Sequence, residues 1–261
     1  MSWKEVGDAW GERAADWAFL FEPLFGPVYE AAFARVPLGP GVRYLDVACG
    51  AGRAAWRASS RGASVSGLDA ADALLAIARE RVPEGDFRAG DMCALPFPAG
   101  AFDVVSSFNG IFFGDDGALA EVARVTRTGG AVIIGFWSRP KRRDHLAPML
   151  LMEQFLPDQE WAASANLLEI GKPGVAEKMM AKVGIEPVDR LVVDGWNEWP
   201  DVETGVRAFT SSGPAWPIMH GDRAVGYVDA LGRELQQFST PGSGVRLRSE
   251  FGVLIGRRGQ Q

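Results

Sequence analysis

An α/β fold with a doubly wound, mostly parallel sheet is what this 261-residue chain predicts, and three observations predict it. Short apolar runs alternate with helical patterns from Val42 onward, the rhythm of parallel strands joined by helical crossovers. Val132-Ile133-Ile134 lacks polar alternation, as a strand covered on both faces should. Tyr44-Leu45-Asp46-Val47-Ala48-Cys49-Gly50-Ala51-Gly52-Arg53 closes an apolar run with an acid and turns through glycines into a helical pattern. Such a turn lets backbone approach a ligand with no side chains in the way.

Residues 1–36 read as helical with an interruption near Pro23 to Pro27, and Trp3, Trp10, Trp17, Phe21 and Phe25 recur at spacings of seven or four. Those spacings keep the rings on one side of a helix. Pro37 to Gly41 punctuates, and a first strand follows at Val42 to Val47. A helix from Arg53 to Ser60 stops at Gly62, ahead of a second strand at Ser64 to Leu68. The next helix, Ala71 to Arg81, turns Leu74, Leu75, Ile77 and Ala78 inward and ends at Pro83. Phe87 to Ala89, Phe102 to Phe108 and Ala131 to Trp137 supply strands three to five, with a helix from Ala118 to Thr126 before the last of them. Later elements are an amphipathic segment at Leu146 to Phe155, a helix at Gly174 to Lys182 and a sixth strand at Val188 to Val193. The last strand is Phe251 to Gly256. One domain is expected: cap 1–40, core 41–137, helices and sixth strand 138–195, helical insertion 196–248, and last strand with tail 249–261.

Composition narrows the function. A hydrophobic fraction of 47% supports a full core, and 27 Lys and Arg against 33 Asp and Glu leave a net charge of -6. That balance argues against a polyanion as principal partner, because phosphate contacts need a concentrated positive field. Arg139-Pro140-Lys141-Arg142-Arg143 is the one compact basic run, read as a solvated loop, with an anionic substrate group or nucleic acid as alternatives. Two cysteines and two histidines form no metal motif. No apolar run resembles a signal peptide or spans a bilayer. The expectation is a cytoplasmic protein, monomer or homodimer, with no metal.

The glycine loop fits a permissive GxGxx(G/A) pattern, which NAD- and FAD-binding folds share. Asp46 is the added feature, since a carboxylate there repels a pyrophosphate and attracts a cationic ligand. Asp69, ending the second strand, stands where ribose hydroxyls could be held. Asp91 could accept from an adenine amino group while Met92 packs on the ring; a helix cap is its alternative.

These residues carry a resemblance. Leu45 to Gly52, then Gly90-Asp91-Met92-Cys93-Ala94-Leu95-Pro96-Phe97 with Phe102-Asp103-Val104-Val105, then Asn109-Gly110 and Arg124 to Gly130, resemble in order the motifs of class I S-adenosylmethionine-dependent methyltransferases. Within that class the likeness is to the small-molecule subfamily that includes ubiquinone/menaquinone-type C-methyltransferases. It is tight over 40–137; Ala48 stands where many members have Gly, and Thr128 where proline is usual. It implies a Rossmann-like sheet of seven strands, the last antiparallel between the fifth and sixth. It also implies S-adenosyl-L-methionine as cofactor. Asp46 and the Ala48, Cys49, Gly50 and Gly52 backbone would lie against its methionine portion, Asp69 on the ribose, Asp91 on the adenine, Ala70 and Met92 on either side of the base. Asn109 either lines the methionine end or caps the next turn.

The expected activity is methyl transfer to oxygen or carbon of a small hydrophobic or aromatic metabolite. RNA or protein methylation, an NAD-linked oxidoreductase and a catalytically inactive cofactor-binding regulator are the alternatives. His145 and His220 are the candidate general bases, each with a surface or packing role as its plain alternative. Trp17, Tyr29, Phe112, Phe113, Trp137, Trp196, Trp199 and Trp216 are candidates for an aromatic substrate chamber, against ordinary core burial.

Overall fold

The computed structural model describes residues 2–111, 116–138, 144, 146–156 and 169–260. Phe112, Phe113, His145 and the basic run at 139–143 lie outside them. Strands β1 (Arg43–Val47), β2 (Ser64–Asp69), β3 (Asp86–Ala89), β4 (Phe102–Phe108), β5 (Thr126–Trp137), β6 (Ile185–Trp199), β7 (Ser239–Thr240) and β8 (Gly244–Arg258) form one sheet. Its order is β3-β2-β1-β4-β5-β8-β6, with the two-residue β7 beside β8. Strands β1 to β5 pair in parallel, while β8 runs antiparallel between β5 and β6. The expected Rossmann-like arrangement is present, with β7 as one short addition.

Side-chain alternation splits the core in two. Tyr44, Val104, Ile133 and Val253 face one layer, and Leu45, Val47, Val105, Val132, Ile134 and Leu254 the other. Asp46 shares the first face, as does Ser106 opposite it in register. The first layer is covered by the N-terminal segment and the late helices. At the starts of the strands, Asp103 takes Arg43 on one side (Nε to Oδ2 3.0 Å) and Arg127 on the other (Nε to Oδ1 2.6 Å). These guanidinium groups hold its carboxyl well below the usual range, Arg43 first. The stabilisation is present above the unfolded carboxylate range and lost as pH falls. Asp103→Asn should lower stability by about 1 kcal/mol, read by urea melts, with cofactor affinity unchanged.

Residues 3–33 are a broken helix: Trp3–Gly11, Ala14–Asp16, a π turn at Trp17–Phe21, a 3-10 turn at Glu22–Phe25, then Gly26–Phe33. Pro23 and Pro27 each sit in the first positions of a helical piece, where a missing N–H costs nothing. Ser2 and Glu5 close a capping box on the first piece.

The expected boundaries of the late insertion need correction. Strand β6 runs on to Trp199 and β8 begins at Gly244, so residues 196–199 and 244–248 form an antiparallel two-stranded extension, and the helices occupy Val202–Thr210, Trp216–Met219 and Ala224–Gln236. Gly195, Asn197 and Trp199 are buried while Asp194 and Glu198 are not. That is period-two burial written in polar letters. The cap chain crosses this face directly: a Cβ on Gly195 would stand 2.9 Å from the Leu24 carbonyl oxygen, and Trp199 Nε1 donates to Leu20 O at 2.8 Å.

The two halves of the cap also hold each other. Arg13 donates to Thr210 Oγ1 at 2.6 Å, Arg207 pairs with Asp16 at 2.5 Å, and Trp216 Nε1 donates to Glu12 at 2.7 Å. Gly7 brings the first helix onto the core so closely that a Cβ there would stand 2.1 Å from Ala70 O. Gly7→Ala gains about 1 kcal/mol of helix propensity but pushes the helix off Ala70. The clash should win, and thermal melts should show net destabilisation together with weaker cofactor binding.

Candidate functional site

The carboxyl ends of β1, β2 and β4 and the cap enclose a cavity of 360 Å³, within the range of small-molecule sites. Its floor is the glycine loop. Ala48, Gly50 and Gly52 take φ values of 58°, 53° and 75°, so the chain turns three times through the left-handed region that glycine tolerates best. Gly52 is needed twice over, because a Cβ there would stand 2.7 Å from Ala78 Cβ. Asp69 fixes the turn from the next strand: Gly50 N donates to its Oδ2 at 2.7 Å and Ala71 N to its Oδ1 at 2.9 Å. Asp91 lines the cavity and accepts from Cys93 N at 2.8 Å, which closes a turn; no helix starts there, so the alternative role of helix cap does not hold.

Below the loop, Asp46 is buried and accepts from Ser106 Oγ at 2.6 Å, while Tyr44 and Ser106 hydroxyls lie 2.5 Å apart. Ser106 spends its only proton on Asp46, so Tyr44 must donate to Ser106. Burial pushes the Asp46 carboxyl up to about 7, with Glu22 and Asp69 adding to the rise against the Ser106 hydrogen bond. Asp69 is also raised by burial, against its backbone donors. Glu22, from the cap, is raised by burial despite Arg81 beside it (2.5 Å). The cavity floor thus gathers buried carboxylates with few counter-ions.

The roof is aromatic. Trp17 stacks on Phe21 (4.8 Å, 14°) and meets Trp10 edge-on at 4.7 Å. Tyr29 stands edge-on to Phe108 at 4.8 Å, and Phe25 to Trp137 at 6.0 Å. Asn109 follows β4 with φ 59°, its N–H donated to Gly135 O at 2.9 Å. Both atoms of its side-chain amide are buried without a partner beside the cavity. Gly110 lets the loops meet; a Cβ there would stand 2.2 Å from Ala48 Cβ.

Of the residues singled out from sequence, Ala48, Cys49, Gly50, Asp69, Ala70, Asp91, Met92, Asn109, Trp17, Tyr29 and Trp137 line this one cavity. Asp46 and Gly52 support it from beneath. Four others are placed elsewhere. His220 is on the surface, 3.3 Å from Glu12 and stacked on the exposed Trp216. Trp196 is exposed, under Arg246 (3.9 Å). Trp199 is core, held by Leu20. The short helix and strand extensions carrying these residues turn them away from the cavity, which spacing alone could not show. Trp3, Trp10, Phe21, Phe25, Glu22, Met149, Met152 and Phe209 line it as well. The regular Trp and Phe spacing was the signal for the rings; nothing in the pattern marked Glu22.

The sequence profile of a methyltransferase-domain family matches residues 45–134, from β1 to β5. Over these residues the chain resembles a methyltransferase domain. Demethylmenaquinone methyltransferase of Renibacterium salmoninarum is 39% identical over 103 residues, 39% of this chain and 44% of that protein, so the chain spans less than half of that relative's length. Nocamycin O-methyltransferase of Saccharothrix syringae is 29% identical over 242 residues, 84% of this chain and 86% of that protein. In fold, a geranyl diphosphate C-methyltransferase from Streptomyces coelicolor is similar at a TM-score of 0.52 and 16% identity, over 89% of this chain and 80% of that one.

S-adenosylmethionine is the cofactor of this methyltransferase domain, and the residues present fit it. An anionic floor suits a sulfonium and an ammonium. The orphaned Asn109 amide is free to meet a polar ligand, and the glycine turn leaves backbone exposed to meet it. Among the described residues no helix is long and apolar enough to cross a membrane, and no cluster could hold a metal ion.

Proposed function

We propose that the protein transfers the methyl group of S-adenosylmethionine to oxygen or carbon of a small hydrophobic or aromatic metabolite. The observation that carries this reading is the aromatic roof directly over the glycine loop, within the same cavity. The cofactor, when bound, supplies an electrophilic methyl on sulfur. The chain's own residues then have two tasks, alignment and exclusion of water. Asp69 holds the ribose hydroxyls, Asp91 the adenine, Ala70 and Met92 the faces of the base, and Asn109 the methionine end. Trp10, Trp17, Phe25, Tyr29 and Trp137 dry the acceptor space and orient a flat or greasy substrate.

Two features refine the acceptor. The nocamycin enzyme, an O-methyltransferase, aligns with 84% of this chain, and that likeness favours oxygen. The alignment with the demethylmenaquinone enzyme covers 39% of the chain, so it supports the domain and says little of the acceptor. Among the described residues no lysine or arginine lines the cavity, which favours an uncharged acceptor over nucleic acid. Neither histidine is needed in this reading. His220 stands on the surface, and an acceptor that is already acidic needs no strong base.

A screen of phenols, enols and polyketide-like acceptors with methyl-labelled cofactor tests the proposal. Transfer to at least one small acceptor is expected. Transfer to folded RNA or protein alone would overturn it.

A further inference from the structure

Among the described residues, Glu22 is the one acid that the cap contributes to the cavity lining; Asp69 and Asp91 come from the ends of strands. Only 3% of it is exposed. Its two oxygens are unequally used. Oε2 takes the Arg81 guanidinium at 2.5 Å. Oε1 receives one long contact, from Arg53 N at 3.4 Å, which is near the limit of a hydrogen bond. That underused oxygen lies beside the glycine loop, 3.9 Å from where a Cβ on Gly50 would stand, with the Trp17 indole nitrogen 3.7 Å from the same point. Arg81 cannot swing across to satisfy it. The same guanidinium also donates to Ala51 O at 2.8 Å and Ala18 O at 3.1 Å.

A buried carboxylate oxygen with spare lone pairs, facing glycine backbone and flanked by aromatic rings, suits a compact cation with several donors. We propose that Glu22 is a cofactor-binding residue, its Oε1 accepting from the ammonium group at the methionine end of S-adenosylmethionine. This inference rests on the function proposed above. It gives the cap a part in holding the cofactor, so the cap is more than a substrate selector. Through Arg81, the same carboxylate ties the cap to the loop at Ala51, and cofactor binding and cap closure become one event.

Glu22→Gln is the informative variant, because it keeps the size and leaves one oxygen for Arg81. Calorimetry on the full chain would use two probes: S-adenosylhomocysteine, which retains the ammonium, and 5′-methylthioadenosine, which lacks the amino-acid end. Wild-type protein should bind both. Glu22→Gln should weaken the homocysteine compound tenfold or more and change the thioadenosine affinity less than twofold. An equal loss for both probes would mean that Glu22 only braces Arg81, and no change for either would mean that it carries no binding role; each overturns the inference. Wild-type protein that bound neither probe would bring down the proposed function itself, and this inference with it.

Discussion

Asp69→Ala is expected to weaken S-adenosylhomocysteine binding by two to three orders of magnitude, roughly 3–4 kcal/mol. The loss exceeds that of a ligand contact alone. Gly50 N and Ala71 N sit on separate oxygens of the carboxylate, so removing it strands two backbone donors and frees the glycine turn. Asp69→Asn should not rescue binding. Whichever way the amide is flipped, its NH2 faces one of those two N–H groups. Calorimetry and thermal melts together check this, with a fall in melting temperature accompanying the lost affinity. Unchanged affinity in Asp69→Ala would mean that the ribose is held elsewhere and that the turn stands unaided.

The second large effect is a pH dependence centred on Asp46. Its carboxyl is raised to about 7 in the free protein, by burial first and by Glu22 and Asp69 next. A cation in the cavity lowers that value, so binding the cofactor releases a proton. Affinity should rise with pH by up to about tenfold per unit below 7 and level off above it. Asp46→Asn keeps an oxygen for the Ser106 hydroxyl and should reduce the slope, leaving the part that the raised Glu22 and Asp69 contribute. The stability sign is the reverse of a salt-bridged acid's. A raised folded value means that the folded chain holds a proton which the unfolded chain releases above the ordinary Asp range. This group's contribution is therefore full at low pH and lost as pH rises through about 7. Asp46→Asn should make the cofactor-free protein more stable at pH 8, by about 2–4 kcal/mol. Titration calorimetry in buffers of different ionisation heat reads the proton directly. A flat affinity profile from pH 5.5 to 8 would contradict the account.

Most of the cofactor half of the site was legible in residues 44–110. Glycines at turns and acids at strand ends are local features, and strand order brings Asp46, Asp69, Asp91 and Asn109 to one edge of the sheet. The cap was legible only as a stripe. Trp3, Trp10 and Trp17 announced a covered face, yet the π turn at Trp17–Phe21 sets which rings look into the cavity. The strand extensions were hidden because Asn197 and Gly195 occupy buried positions, so the alternation reads as polar. Trp196 and Trp216 were drawn into the expected chamber by residue type, and tertiary contacts put both outside. Glu22 could not have been found by pattern. Its burial depends on Arg81, 59 residues away in the chain.

The most direct test of the central claim is a paired calorimetric titration of the wild-type protein with S-adenosylhomocysteine and with NAD. The anionic floor and glycine turn predict saturable binding of S-adenosylhomocysteine at one site per chain, and no binding of NAD, whose pyrophosphate is repelled by Glu22 and Asp69 in the lining and by Asp46 beneath it. Tight NAD binding with no response to S-adenosylhomocysteine would contradict the account.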